Sequence, residues 1–229
     1  MVDEILNIDL LKGRSILDSP VEKVYKTIRY RILNQEYAPS QALVESALAK
    51  EFGVGRNTIR RALMQLVNEK LVELEVNKSA VVKFLTKEEA LDLLEIRERL
   101  EGLITYSTAK VIKKDDVDRI RSILKDMEGL LAEGNLLEYS VKNDIIHDII
   151  DDICPNREAI ELIESIRLQL RSFNKRTILI PGRAEESYKE HIELLEALES
   201  NDAERSEIIM RKHMASVRNT LIKNYDMLF

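Results

Sequence analysis

Leu48-Ala49-Lys50-Glu51-Phe52-Gly53-Val54-Gly55-Arg56-Asn57-Thr58-Ile59-Arg60-Arg61-Ala62-Leu63 is the stretch on which the reading of the fold turns. Leu43, Ala47, Leu48 and Phe52 have the spacing of one face of a short helix. Gly53-Val54-Gly55 then offers a turn in which a residue without a Cβ can take positive φ, so the chain can reverse sharply. Ile59, Ala62, Leu63, Leu66, Val67 and Leu71 recur at three and four residues, which predicts a second helix. Arg56, Asn57, Arg60, Arg61, Met64, Gln65 and Asn68 then point away from the core. After Leu71 the period drops to two. Val72, Leu74 and Val76 alternate with Glu73 and Glu75, Asn77-Lys78-Ser79 makes a polar turn, and Ala80, Val82 and Phe84 share a face of the return strand. Helix, turn, helix and hairpin in that order predict a winged helix-turn-helix over residues 18–84.

Such a unit suits DNA, because a helix fits the major groove and side chains on its first turn reach base edges there. Arg56 and Arg60 lie four apart on one face, and Arg can bond guanine through two acceptors as Asn57 can bond adenine. Lys78, at the wing tip, suits a phosphate or the minor groove. The candidate DNA-contacting set is therefore Arg56, Asn57, Thr58, Arg60 and Arg61, with Lys78. A hairpin used only for packing, with the arginines as a solvated face, fits less well, since the ordered pattern is long and strongly periodic.

The quoted stretch, continued by Leu66 to Val72, resembles the DNA-binding domain of the GntR family of bacterial transcription regulators. The resemblance implies a DNA-binding regulator. The family usually has Ser or Thr at the place of Gly55, Glu at Arg61, Pro-Gly at Pro39-Ser40 and glycines at Asn77-Lys78-Ser79. Some relatives also have a basic residue where Ser46 stands, which implies fewer phosphate contacts in this chain.

The composition of the 229 residues is that of a helical protein, with seven Gly, four Pro, no Trp and 33% charged residues. A net charge of −6 seems to oppose DNA binding, but the sum hides an asymmetry. Residues 1–84 carry 13 Lys and Arg against 11 Asp and Glu, and the remaining 145 carry 22 against 30. The excess of two in the first part is small, so the local arginine cluster carries the argument. A single cysteine, Cys154, allows no internal disulfide, no apolar run approaches the roughly 18 residues a membrane span needs, and the N-terminus lacks the pattern of a signal peptide. A cytoplasmic protein is expected.

Residues 1–17 read as an N-terminal arm. Asp18-Ser19-Pro20 opens a helix with a capping side chain and Pro in the first turn, and Val21, Val24, Tyr25, Ile28 and Ile32 form its buried stripe. Thr86-Lys87-Glu88-Glu89 has the spacing of a capping box and opens a second domain at 86–229. Its helices are expected near 86–112, 114–133, 135–153, 156–176, 184–199 and 202–226, with short breaks at Gly134, Pro155-Asn156, Pro181-Gly182 and Ser200-Asn201-Asp202. The fold class is mainly α, a winged helix-turn-helix followed by an all-α antiparallel bundle.

All three histidines fall in the bundle, each on a different predicted helix and each on an apolar face. His147 shares its face with Asn143, Ile146 and Ile150, His191 with Tyr188, Leu194 and Leu195, and His213 with Ile209, Met210 and Val217. One such histidine is more often a hydrogen-bonded core residue than a ligand. Three together suggest a metal site, since facing helices of a bundle can assemble one.

This spacing is similar to that of metal-binding members of the FadR subfamily of GntR regulators, whose C-terminal ligand-binding domain is called FCD. There an Asp and a His four apart join two later histidines, and Asn143, His147, His191 and His213 stand in those places. The resemblance implies one divalent ion per chain, and replacing Asp by Asn143 removes the only anionic protein ligand. The donor set suits Zn or Ni, and the carboxamide oxygen is compatible with Mn. Neutral donors leave the ion's charge uncompensated, which calls for a small organic acid as effector. The resemblance places Arg97 to meet it, and the competing role for Arg97 is a surface ion pair with Glu101. One recognition helix reads too few bases and the bundle offers large apolar faces for pairing, so a homodimer on a two-fold symmetric double-stranded operator is expected. The alternative is a FadR-like regulator that binds an acyl thioester without metal. An enzyme is not expected, as no His-Glu-x-x-His motif or Ser-His-Asp order is present.

Overall fold

The computed structural model describes residues 19–74 and 79–228, so the N-terminal arm read at 1–17 and the wing turn with Lys78 lie outside the described residues. The chain forms two compact units that divide between Lys83 and Phe84.

In the first unit, α1 (Pro20–Leu33) starts as its sequence dictates, with the Ser19 hydroxyl accepting from the Glu22 N–H and Pro20 at the first helical position. Val24 and Ile28 are buried at its centre. It packs on α3 (Arg56–Asn68), whose Ile59, Ala62, Leu63 and Leu66 are almost wholly excluded from water. Between them, α2 (Glu45–Phe52) ends at Gly53, whose φ of 64° makes the left-handed turn that a side chain would strain.

Three short strands complete the unit in the order β1-β3-β2, both pairings antiparallel. They are β1 (Ala42–Leu43), β2 (Val72–Glu73) and β3 (Ala80–Val82). The reading of Leu43 as part of a helix face is corrected here. Leu43 is buried in β1, paired with Ala80, and two residues of strand are too few to show a period. Ala47 is exposed, so the α2 face that packs inward is narrower than its spacing suggested. Phe84 was expected on the buried face of the return strand, but β3 ends at Val82 and Phe84 is 52% exposed. Leu74 likewise lies past the end of β2 and is exposed.

The second unit is a bundle of α4 (Lys87–Ala109), α5 (Lys114–Ala132), α6 (Leu136–Ile153), α7 (Arg157–Thr177), α8 (Arg183–Glu199) and α9 (Ala203–Leu228). Thr86 and Glu89 form the capping box that fixes the first turn of α4. Val117, Ile120, Leu124 and Met127 give α5 one apolar face, which joins Ile104, Tyr139, Ile146, Ile163, Leu198 and Met210 in the main core. The longest contact runs between α4 and α9. Gly102 allows it, because a Cβ there would lie 2.7 Å from Arg211 Cγ.

Tyr139 is fully buried, and its hydroxyl donates to the Ala184 carbonyl at 3.0 Å, tying α6 to the first turn of α8. Tyr139→Phe keeps the ring and removes this bond. The variant is expected to fold and to lose about 1 kcal/mol of stability in urea denaturation.

Candidate metal centre and DNA-reading helix

The exposed side of α3 bears Arg56, Asn57, Arg60, Arg61, Met64, Gln65 and Asn68, with Thr58 half-buried among them. No acidic residue stands in its first turn and its N-cap is Gly55, so the free N–H groups and the helix dipole favour an approaching anion. One carboxylate does reach this face from a neighbouring helix. Glu45, at the start of α2, accepts from Arg60 Nε at 3.0 Å and from Nη2 at 2.9 Å. The hydrogen bonds from Arg60 lower the Glu45 pKa. The pair is exposed and screened, so it orients Arg60 while adding little to stability.

In the bundle, α6, α8 and α9 bring His147, His191 and His213 together. Each is buried, and one ring nitrogen from each lies within 4.8 Å of the others. Ring centroids are 4.6 Å apart for His191 and His213, 5.6 Å for His147 and His191, and 5.8 Å for His147 and His213. Asn143, one turn before His147, lines the same cavity as His147 and His213, and its Oδ1 lies 3.5 Å from the Ser187 hydroxyl.

The outer contacts fix which nitrogens are available. His191 Nδ1 lies 2.7 Å from the Ser187 carbonyl, which can only accept, so Nδ1 carries the hydrogen and the Nε2 lone pair is left without a partner. His213 Nδ1 lies 2.6 Å from Glu190 Oε2. Burial raises the Glu190 pKa, but His213 and Arg183 outweigh it and hold the group below the usual carboxylate range. Nδ1 of His213 is thus the donor, and in that tautomer Nε2 is the nitrogen that carries the lone pair. Neither ring nitrogen of His147 has a hydrogen-bond partner, and Nδ1 is 3.6 Å from Glu101 Oε2. Three buried imidazoles with one nitrogen each within 4.8 Å of the others are a donor set that fits a divalent metal ion.

The sequence reading missed the groups that hold this centre. Glu101 is 1% exposed and receives Arg97 Nε at 2.9 Å and Arg167 Nη2 at 2.6 Å. Burial opposes its ionisation, yet Arg167 and Arg97 together keep its pKa well below the ordinary value. Arg167 also binds Asp151. Across the centre, Arg183 Nη2 donates to Glu190 Oε2 at 3.1 Å and the Ser216 hydroxyl donates to Oε1 at 2.7 Å. Arg97 therefore does pair with Glu101, but in the interior and not on the surface, because α4 packs there against α6, α7 and α9. It also lines the cavity beside the imidazoles, which measures about 50 Å³.

Residues 92–216 match the FCD domain, and residues 20–82 match the bacterial regulatory proteins of the gntR family. The chain belongs to the GntR family, in its FCD-bearing form. Like its relatives, this GntR protein is a DNA-binding transcription regulator and not an enzyme. It is 24% identical to the transcriptional repressor GlaR of Escherichia coli K12, over 83% of this chain and 90% of GlaR. It is 25% identical to the regulator LutR of Bacillus subtilis 168, over 83% of this chain and 95% of LutR. Its fold is similar to that of E. coli McbR/YncC, with a TM-score of 0.71 and 18% identity over 90% of this chain and 99% of that one. Among the described residues of this GntR regulator, no helix is long and apolar enough to cross a membrane.

The buried imidazoles give a signed pH dependence. Burial lowers the His213 pKa from 6.5 to about 4, with Glu190 opposing, and burial with the neighbouring rings takes His191 well below 6.5. Between pH 6.5 and 4 the unfolded chain therefore binds protons that the folded chain refuses, so stability falls with pH across that window. Urea midpoints of chelator-treated protein should drop from pH 7 to pH 5, and His191→Gln should flatten the slope. A slope unchanged by that substitution would show that His191 titrates freely in the folded protein.

Proposed function

We propose that this regulator is a cytoplasmic homodimer that binds a two-fold symmetric double-stranded operator through α3 of each chain. A small carboxylate bound at one divalent metal ion per chain, in the bundle, sets its operator affinity. Asn143, His147, His191 and His213 would hold the ion, and Arg97 would meet the carboxylate. The bound ion would supply a Lewis-acid centre for a carboxylate oxygen. Zn, Ni and Mn all suit three imidazoles with an amide oxygen.

The observation that carries this reading is the clustering of the three imidazoles with unshared nitrogens, each oriented by a second contact or left bare. Buried histidines serving only as core would rarely leave ring nitrogens unsatisfied, whereas His191 Nε2 and both nitrogens of His147 have no partner. The cavity beside them is small, about 50 Å³, which favours a small acid over the acyl chain of a thioester. Exposed Ile96 and Leu103 on α4 and Ile208 on α9 support pairing of two bundles. On DNA, Arg56, Asn57, Thr58, Arg60 and Arg61 would face the groove, with Lys78 on the wing.

Two measurements test the two halves of this reading. In the bundle, His191→Ala should lose the ion by elemental analysis, and chelator should lower the melting temperature of wild-type protein but not of the variant. Wild-type protein that takes up neither Zn, Ni nor Mn, with a melting point indifferent to chelator, would turn the choice to the acyl thioester. On DNA, Arg60→Ala should cost about 1–3 kcal/mol on the specific operator and less on unrelated DNA. Equal losses on both would exclude base reading by Arg60.

A further inference from the structure

Arg183 is a buried cation that the internal pairing of the site leaves half used. It is 3% exposed, and Nη2 is satisfied by Glu190 at 3.1 Å. Nη1 is buried with no hydrogen-bond acceptor, and the carboxylate paired with it, Glu186 Oε2, lies 3.6 Å away on a side chain that is 57% exposed. An unsatisfied buried donor on a guanidinium is costly, and native proteins rarely keep one without a use. Arg183 lines the same cavity as Arg97, Asn143, His147 and His213. The two buried arginines thus border one small space from different helices, α4 and α8.

We propose that Arg183 is a second anion-binding group of the effector site, and that the effector is a dicarboxylate of two to four carbons. One carboxylate meets the ion held by the imidazoles and the other accepts from Nη1 of Arg183. This rests on the metal and carboxylate reading above and narrows it. Charge selects the class. Glu101 is paired with Arg97, Asp151 with Arg167 and Glu190 with Arg183, so the buried ion pairs around the imidazoles sum to zero. A divalent ion adds two positive charges that no buried protein group offsets, and Asp144 at the rim of the cavity is exposed to solvent. A monocarboxylate leaves one of these charges, whereas a dicarboxylate cancels both in a place where an unpaired charge is costly. Size agrees, since a cavity of about 50 Å³ suits a short acid.

The test is calorimetric titration of full-length, Zn²⁺-loaded protein with malonate and succinate against acetate and butyrate, with zinc content measured in parallel. Wild-type protein is expected to favour a dicarboxylate by about tenfold or more, the worth of one charge-assisted hydrogen bond. Arg183→Gln should abolish that preference, and because Arg183 also holds Glu190, which orients His213, its affinities are compared at matched zinc content. Should the loss of a partner for Glu190 prevent that variant from folding, Arg183→Lys keeps a cation there without the planar fork that offers two nitrogens, and its preference should fall likewise. A preference undiminished in the folded variants, or none in wild-type protein that binds monocarboxylates, overturns this proposal and leaves the carboxylate reading standing. Zinc-loaded protein that binds no acid of either kind overturns both.

Discussion

The constraint on which the bundle depends is the ionised carboxylate of Glu101 in its interior. A lone charge there would be expelled or neutralised, because desolvation costs far more than any single contact returns. Glu101 remains charged because Arg97 from its own helix and Arg167 from α7 both bind it, while Asp151 on α6 balances the second positive charge. Three helices are thereby held in one register around a point 3.6 Å from His147 Nδ1. Burying such a network adds little net stability compared with apolar packing, but removing one partner would strand the others. The network is better understood as a device that fixes how α4, α6 and α7 meet beside the imidazole of His147.

The Glu190 cluster does the same for the other side of the site. His213 is oriented by Glu190, which is itself held by Arg183 and Ser216, and His191 is oriented by a carbonyl of its own helix, four residues back. Each contact consumes Nδ1 and leaves Nε2. Outer contacts of this kind fix tautomer and ring angle before any ligand arrives, so binding requires little further ordering.

Periodicity made the architecture legible. The apolar rows of α3 and α5 repeat over three or four turns, and the Thr86 capping box marks a helix start to within a residue, so these elements could be read from the chain alone. What failed was short or local. Leu43 belongs to a strand of two residues whose partner lies far along the chain, and such pairing leaves no period to read. Phe84 follows an alternation that stops two residues earlier, because nothing in the alternation itself states where pairing ends. The inward histidines were visible because an imidazole on an apolar face is unusual. Glu101, Glu190, Arg167 and Arg183 were not, since a Glu or Arg in a helical sequence is ordinarily solvated and only packing shows that these are buried. Glu190 was hidden further by standing next to His191, where adjacency in a helix argues against a shared face; it serves His213 on α9 instead.

Asn143 gives the proposed site its particular character. The family resemblance puts an Asp at this position, which would supply one negative charge to the ion directly. Apart from Asp144 at the solvent-exposed rim, the carboxylates around the imidazoles, Glu101, Asp151 and Glu190, each already pair with an arginine. A neutral donor set holds a divalent ion less tightly, because the attraction between full charges is gone while the desolvation of the ion remains. The missing charge must then come from the ligand. Metal and effector become linked through this term: an anion strengthens retention of the ion, and by the reciprocity of binding free energies the ion strengthens capture of the anion by the same factor. With an Asp at that position the protein would hold its metal regardless of effector. With Asn143 the proposed site would be fully occupied only when both are present, so it would answer to the effector with a larger share of its binding energy.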